Sequence, residues 1–227
     1  MDAPIVSRYG LQAAKELMGE ARREFESLIP GIPYLGGKQP FTQFVISSAW
    51  FLAIYRTLSR RREPLEAVGR LLFDLSEAFL KAYPAYLRRM FGRMTFTPGY
   101  LRRLRKRAEA SHRRQYPGDY VYNFVEGTGE AFDYGVDYLE CATVKFLWAQ
   151  GAGEIAKYLC AVDILYSEAL GWGLRRTMTL ADGQERCDFR FKRGGKTHVA
   201  LSPEVRPALF GRLEPGVGTE GRTTKKA

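Results

Sequence analysis

The sequence predicts an α+β protein in which a helical N-terminal half packs on a small antiparallel β-sheet and a further helix covers that sheet. Apolar residues recur every three or four positions up to about residue 115, which is the period of a helix buried on one face. After Tyr116 the period changes to two, as in a strand. The clearest hairpin follows, where LRRTMTL and QERCDFRFKRGG flank the turn ADG.

Four helices are predicted before residue 115. The first extends from Ser7 to Leu28, and a loop rich in proline and glycine follows it, IPGIPYLGGKQPF. The second extends from Phe41 to Arg62. The third occupies about Pro64–Pro84, because proline suits the first turn of a helix, and a basic fourth helix occupies residues 98–114.

The second half is expected to supply the sheet, with strands at Asp119–Glu126, Phe132–Tyr138, Leu174–Leu180 and Glu185–Lys192. Asp119–Glu126 carries apolar side chains on both faces, which indicates a central strand. A helix from Gly153 to Leu170, closed by Gly171, is expected to cover one face of the sheet. KTHVAL, residues 196–201, is a candidate further strand.

Size and composition are those of one globular unit. The chain has 227 residues, of which 45% are hydrophobic, enough for a substantial core. We therefore expect a single hydrolase-like domain over residues 1–210, mainly helical over 1–115 and sheet plus helix over 116–210. The tail, residues 211–227, is rich in glycine, threonine and charge and is predicted to be disordered.

Neither a signal peptide nor a membrane span is apparent. The first residues become charged within a few positions, whereas a signal peptide needs an apolar core. The most apolar window, Phe41–Leu58, is interrupted by polar residues and falls short of the roughly 20 apolar residues of a spanning helix. We therefore expect a cytoplasmic protein with no membrane partner.

The chain has three cysteines, Cys141, Cys160 and Cys187. Their odd number, wide spacing and lack of a CxxC pair argue against a disulfide framework, so the thiols are expected to be reduced. Close pairs of zinc ligands are missing, and only His112 and His198 are present to complete a site. No metal and no cofactor are therefore predicted.

The formal net charge is +10, and much of it lies between Arg88 and Arg114. A basic run attracts nucleic acid or anionic lipid in principle, but it is more often the solvated face of a helix. Nucleic acid is accordingly the less favoured partner.

Two stretches place a thiol near a carboxylate. Cys160 and Asp163 are three positions apart on the predicted helix and therefore share a face. In the last hairpin strand, alternation directs Cys187 inward and places Asp188 and Arg190 on the opposite face. Each cysteine is also explained as an inert core residue, because buried cysteines are common.

These stretches resemble the L-2-amino-thiazoline-4-carboxylic acid hydrolase family. The resemblance rests on YLCAVD (Tyr158–Asp163) and RRTMTLADGQERCDFRF (Arg175–Phe191), which pair a CxxD helix with TxTLAxGxxxCDFRF. DYGVDYLECATVKF also matches, with Cys141 as a third family cysteine, and so does IPYLGG before FLAIYR. The resemblance covers about Ile29 to Lys192.

The resemblance implies a hydrolase with a small-molecule substrate. It would open a five-membered ring with a C=N bond, turning an aminothiazoline carboxylate into a carbamoyl-cysteine. A thiolate or an activated water attacks the amidine-like ring carbon. The implied catalytic residues are Cys160, Asp163 and Cys187, with an aspartate as acid/base. The implied substrate-binding residues are Arg176, Asp188, Arg190 and Cys141.

Other interpretations stay open at this point. The protein is alternatively a family member that binds or transforms another small heterocycle. A less favoured hypothesis is a nucleic-acid binder that uses the basic helix at residues 101–114. Asp188 and Arg190 are alternatively structural, pairing with Arg175 or Thr177 across the hairpin. A homodimer is also compatible with the sequence.

Overall fold

The computed structural model describes residues 3–36, 41–116 and 118–209. The predicted disordered tail, residues 211–227, lies outside the described residues. The assignment of residues 1–210 to one domain stays a prediction. None of the helices in the described ranges combines the length and the apolar character that crossing a membrane requires.

The described part of the first half is helical, as the period of its apolar residues predicts. The helices are α1 (Ala3–Tyr9), α2 (Leu11–Leu28), α3 (Thr42–Arg60), α4 (Leu65–Lys81), α5 (Ala85–Met94) and α6 (Pro98–Ser111). The predicted helix from Ser7 to Leu28 is divided at Gly10, whose φ of 80° favours glycine. The chain also restarts after Pro84 as the separate helix α5.

Two contacts join these helices to each other and to the second half. The rings of Phe25 on α2 and Trp50 on α3 stack with their centroids 4.3 Å apart. On α4, a Cβ added to Gly69 would lie 2.0 Å from the ring of Tyr158. Glycine therefore permits α4 to approach the helix that carries Tyr158.

The strands of the described second half form one sheet. Its order is β1 (Val121–Glu126), β2 (Tyr134–Glu140), β4 (Cys187–Phe191), β3 (Leu174–Arg176) and β5 (His198–Val199). The α+β fold class is confirmed. Neighbouring strands are antiparallel except β3 and β5, which run parallel, so the sheet is mixed and not purely antiparallel.

β1 lies at an edge of the sheet, so the prediction of a central strand is wrong. Helix α6 covers this edge. The Tyr122 N–H donates to the Ser111 hydroxyl at 3.1 Å, and the Arg105 guanidinium binds both oxygens of Glu126 at 2.8 and 2.7 Å. An edge strand can therefore be apolar on both faces, because a helix protects it from solvent and from pairing with another chain.

The described chain contains four more helices, α7 (Ala142–Ala149), α8 (Gly153–Ala161), α9 (Asp163–Leu170) and α10 (Arg206–Leu209). The helix predicted for Gly153–Leu170 is thus divided in two at Val162. Buried residues of α8 and α9 pack in one hydrophobic cluster with inner-face residues of the sheet, among them Ala161, Ile164, Val136 and Phe191. The predicted covering helix is present, but in two pieces.

Candidate active site

The inner face of the sheet carries the cysteine that alternation directed inward. In the register of β2 and β4, Tyr138 is the partner of Cys187. The guanidinium of Arg176, at the end of β3, lies over the Phe189 ring, 5.7 Å from the ring centroid. Cys187, Phe189 and Arg176 therefore share one face of the sheet.

Asp188 and Arg190 lie on the opposite face. Asp188 accepts hydrogen bonds from the N–H groups of Thr177, at 2.7 Å, and Met178, at 2.6 Å. Arg190 donates to the Asp137 carboxylate at 2.6 Å. The structure therefore separates these two candidate substrate-binding residues from Cys187. Asp188 contacts Thr177, as expected if its role is structural.

Arg176 joins the two pieces of the divided helix. Its side chain is 2% exposed, and its Nη1 donates to the Asp163 carboxylate and, at 2.9 Å, to the Cys160 carbonyl. Between these two residues the Val162 N–H bonds to the Leu159 carbonyl, as in a 3-10 turn. Asp163 begins α9, where the helix dipole favours a carboxylate.

The segment after β3 brings hydrogen-bond donors to two thiols. The Thr179 hydroxyl donates to Cys160 Sγ at 3.7 Å, and the Leu180 N–H donates to Cys187 Sγ at 3.2 Å. Thr179 also accepts from the Ala181 N–H at 2.9 Å, which closes a short 3-10 turn.

Burial dominates the electrostatics of the site. It raises the pKa of the Cys160 thiol, and the charge of Arg176 opposes it only in part. It also raises the pKa of Cys187, although the hydrogen bond from Leu180 and the charge of Arg176 lower it. Burial raises the pKa of the Asp163 carboxyl against the ion pair with Arg176. Both thiols are therefore protonated at neutral pH, and Asp163 titrates closer to neutrality than an ordinary aspartate.

Cys141 precedes α7 and lies near the other two thiols, since Cys187 contributes to the raised pKa of Cys141 and Cys141 contributes to that of Cys160. Burial raises the pKa of Cys141 to about 12, although N–H groups at the start of α7 hydrogen-bond to it and lower it. Across the described ranges, no group of three or more Cys, His, Asp or Glu side chains is arranged to hold a metal ion.

The acidic group of the site remains accessible. The Asp163 side chain is 31% exposed, whereas Arg176 beside it is 2% exposed. Cys141, Cys160 and Tyr138 are half-buried, and Cys187 is buried. The Asp163 side chain is therefore more open to solvent than the Arg176 guanidinium that it binds.

The sequence analysis did not single out Tyr138 or Thr179. The Tyr138 ring lies 5.3 Å from the Phe189 ring, and burial, with a smaller effect of Asp163, raises its pKa. The period of two in β2 is a signal that could have placed Tyr138 on the inner face. No sequence pattern marks Thr179, because its position depends on where the chain leaves β3.

The comparisons with known proteins show the family of the chain. The family model for L-2-amino-thiazoline-4-carboxylic acid hydrolase matches residues 43–191, about two thirds of the chain. The chain belongs to the L-2-amino-thiazoline-4-carboxylic acid hydrolase family. The resemblance noted in the sequence is confirmed at this level, and the family name is that of a hydrolase with a small-molecule substrate. No curated protein and no solved structure matches the chain.

The matched segment begins in α3 and ends with β4. This member of the L-2-amino-thiazoline-4-carboxylic acid hydrolase family therefore has every residue of the inner-face site inside the family match, namely Tyr138, Cys141, Cys160, Asp163, Arg176, Thr179 and Cys187. Helix α5 and the basic helix α6 also lie within it.

Proposed function

We propose that the protein is a hydrolase that opens a small heterocycle with a C=N bond, of the aminothiazoline carboxylate type, to a carbamoyl-cysteine. One observation carries the proposal: the Asp163–Arg176 ion pair lies beside Cys160 while the Asp163 side chain keeps 31% exposure. The family name supplies the reaction class. The ion pair supplies an acid/base group next to a group that binds anions.

In this proposal Arg176 anchors the substrate carboxylate, once the residues that cover its guanidinium move aside. Among the described residues, the buried Nε of Arg176 has no hydrogen-bond partner. A buried donor without a partner costs free energy, and a carboxylate on this edge of the guanidinium would remove that cost. The flat ring of the substrate would then lie near Tyr138 and Phe189, whose rings border Arg176 on the same face.

Water is the nucleophile that best fits the charges of the site. Because burial raises the pKa of Cys160 and of Cys187, neither is a thiolate at neutral pH, and a neutral thiol is a weak nucleophile. Asp163 instead takes a proton from a water molecule as the water oxygen bonds to the ring carbon between nitrogen and sulfur. The π electrons of the C=N bond move to its nitrogen.

Ring opening then breaks one bond between that carbon and a ring atom. Asp163 returns its proton to the departing nitrogen or sulfur, which keeps the electron pair of the broken bond. The added oxygen forms a C=O bond to the carbon and its proton passes to the ring nitrogen, so the product equals the substrate plus one water. Substrate binding assists this step. Its carboxylate shares Arg176 with Asp163, which weakens the ion pair and raises the pKa of Asp163 further.

The thiols have a positioning role in this scheme. Donors from Thr179 and Leu180 occupy the sulfur lone pairs of Cys160 and Cys187, which leaves each S–H free to hydrogen-bond to the substrate ring. We also propose that the enzyme works in the cytoplasm, since the described chain has three free cysteines and reduced thiols are typical of that compartment.

The test is a ring-opening assay by mass spectrometry. The purified full-length protein is given L-2-amino-thiazoline-4-carboxylate, and we expect a product heavier by one water. A substrate left unchanged, with and without added metal, would assign the site to another ligand. Cys160→Ala and Cys187→Ala identify the nucleophile. Both variants should keep measurable turnover, and complete loss in either one, with the fold preserved, would make that thiol the nucleophile.

A further inference from the structure

The net positive charge of the protein is concentrated in one segment. Residues 78–118 contain eleven Lys or Arg residues and one acidic residue, Glu109. The segment has the same net charge as the entire chain, +10, so the rest of the chain is neutral in sum. Part of this charge is used internally, since Arg105 and Arg114 of this segment bind Glu126 and Glu140. The arginines of helix α5, in the same segment, form no salt bridge with the described residues.

Helix α5 is exposed along nearly its whole length. Of its ten residues only Gly92 is buried. At that point α5 meets the end of α9, because a Cβ on Gly92 would lie 1.8 Å from the Leu170 carbonyl oxygen. The outward side carries Tyr86, Met90 and Met94 at intervals of four residues, exposed by 71%, 47% and 51%.

This apolar stripe is exceptional for the molecule. Six of the eleven large hydrophobic side chains that are exposed in the described chain lie between residues 79 and 94. Contiguous exposed apolar surface of this kind marks a binding surface more often than isolated apolar residues do. We therefore expect a partner to cover the stripe and shield it from water.

Arginines border the stripe. Arg89, Arg93 and Arg193 line a groove of about 530 Å³ together with Tyr86, Met90, Met94 and Thr97. Within the described ranges, none of these three guanidinium groups has a carboxylate at salt-bridge distance, although the main-chain N–H of Arg193 donates to Asp133 at 2.8 Å. The partner must therefore be both anionic and able to take up apolar side chains.

We propose that α5 is an interfacial helix that docks the protein on an anionic lipid bilayer. The arginines would contact headgroup phosphates, and the methionine and tyrosine side chains would enter the boundary between headgroups and acyl chains. Such a helix lies on the bilayer and does not cross it. The expectation of no membrane partner rested on the lack of a spanning segment, and docking needs none.

Two other partners fit the surface less well. Nucleic acid would satisfy the arginines, but its phosphates would leave Met90 and Met94 against a charged backbone. A second copy of the chain, meeting its twin through the same face, would oppose two stripes that both carry unpaired arginines, and like charges repel. A lipid surface satisfies the charge and the apolar area together.

The experiment is sedimentation of the full-length protein with vesicles of phosphatidylcholine, with and without phosphatidylglycerol. We expect binding only to the phosphatidylglycerol vesicles, and weaker binding at high salt because screening reduces the attraction. Arg89→Gln with Arg93→Gln should lower the partition coefficient about 25-fold, since each arginine near the surface contributes about fivefold. Met90→Ser with Met94→Ser should also lower it, because less apolar area is buried.

Matched variants separate this surface from net charge in general. Arg22→Gln with Arg23→Gln removes the same charge from α2, and Leu11→Ser removes an apolar side chain that is 60% exposed there. Both should bind vesicles like the wild type, and circular dichroism confirms that all variants fold. Equal losses in both sets, or no binding to anionic vesicles, would overturn the proposal. Retardation of duplex DNA without vesicle binding would identify nucleic acid instead, and a dimer abolished by the α5 substitutions would identify a second copy.

Discussion

Nη1 of Arg176 donates hydrogen bonds both to the Asp163 carboxylate and to the main-chain carbonyl of Cys160. The end of β3 therefore holds α8 and α9 at the point where the helix is divided. Arg176 is 2% exposed, whereas the Asp163 side chain is 31% exposed. Loss of one partner from a fully buried pair costs about 3–5 kcal/mol of folding free energy, and solvent at Asp163 makes the cost smaller here, so the same contact serves stability and the proposed chemistry.

Asp163→Asn should abolish ring opening. It should also lower stability, because it leaves the buried Arg176 guanidinium without its charged partner, so circular dichroism first checks that the variant folds. Asparagine still accepts a hydrogen bond from Arg176, but it cannot take the proton of the attacking water. Loss of a general acid/base residue lowers the rate by about 100-fold to 10,000-fold. The measurement is kcat and KM of the variant in the mass-spectrometric assay, and we expect the change mainly in kcat.

Asp133→Asn is the matched control. The Asp133 side chain is 30% exposed and pairs with Lys192 at 3.0 Å, much as Asp163 is 31% exposed and pairs with Arg176. We expect its kcat to equal that of the wild type. If Asp163→Asn turned over substrate as fast as this control does, the assignment of Asp163 as the acid/base would be wrong.

Asp188→Ala should reduce stability and leave turnover unchanged. Asp188 accepts from the N–H groups of Thr177 and Met178 on the face of the sheet away from Cys187. Without the Asp188 carboxylate, these two N–H groups can bond only to water. The loss lowers the free energy of unfolding by about 1–2 kcal/mol, since the hydrogen bonds are partly exposed. Urea unfolding measures the first effect and kcat of the folded protein the second. A large fall in kcat would return Asp188 to the active site.

Stability should fall as the pH rises above 9.0, the ordinary pKa of a cysteine thiol. Burial raises the pKa of Cys160 in the folded protein, so above pH 9.0 the unfolded chain loses this proton while the folded protein keeps it. The unfolded state then gains up to about 1.4 kcal/mol per pH unit from this thiol. Below pH 9.0 the thiol is protonated in both states and the effect is absent.

Urea unfolding at a series of pH values checks this prediction. Tyrosines with raised pKa also contribute at alkaline pH, so the informative quantity is the difference between the wild type and Cys160→Ala. The variant should lose less stability between pH 9.0 and higher pH. Equal slopes in the two proteins would show that the thiol titrates normally.

Gly69→Ala should destabilise the protein through the contact between α4 and α8. The added methyl group would lie 2.0 Å from the Tyr158 ring, and overpacking of this kind costs about 1–3 kcal/mol. Activity should fall as well, because α8 also carries Cys160. The measurements are urea unfolding and the ring-opening rate.

Gly99→Ala provides the comparison in α6. A Cβ at Gly99 meets nothing within 4 Å, so the substitution should stabilise the helix by about 0.5–1 kcal/mol. If both glycine variants shifted stability in the same direction, the close approach at Gly69 would not be the cause.

Much of the candidate site followed from local patterns. The period of two in the last hairpin strand separated Cys187 from Asp188 and Arg190, and the register of β4 agrees with that separation. The helix spacing predicted that Cys160 and Asp163 share a face, and both contact Arg176 although the helix is divided between them. Tyr138 could have been found by the same argument, whereas Thr179 could not, because its role depends on a turn outside the strand.

Several features depended on contacts between distant parts of the chain. The strand β1 is apolar on both faces because α6 covers its edge, which no periodicity within β1 distinguishes from a central position. The division of the helix at Val162 has no glycine or proline to mark it. It coincides with the bonds from Arg176, a residue of another element.

The sequence by itself determined the α+β class, the family and the face of the strand on which Cys187 lies. These follow from neighbouring residues, because backbone geometry sets the helical and extended periods. Only the tertiary structure decided that Arg176 and not Arg190 meets Asp163, that three thiols far apart in sequence lie near one another, and that β1 is an edge strand. Such relationships arise when hydrogen bonds and packing join elements whose separation along the chain carries no periodic signal.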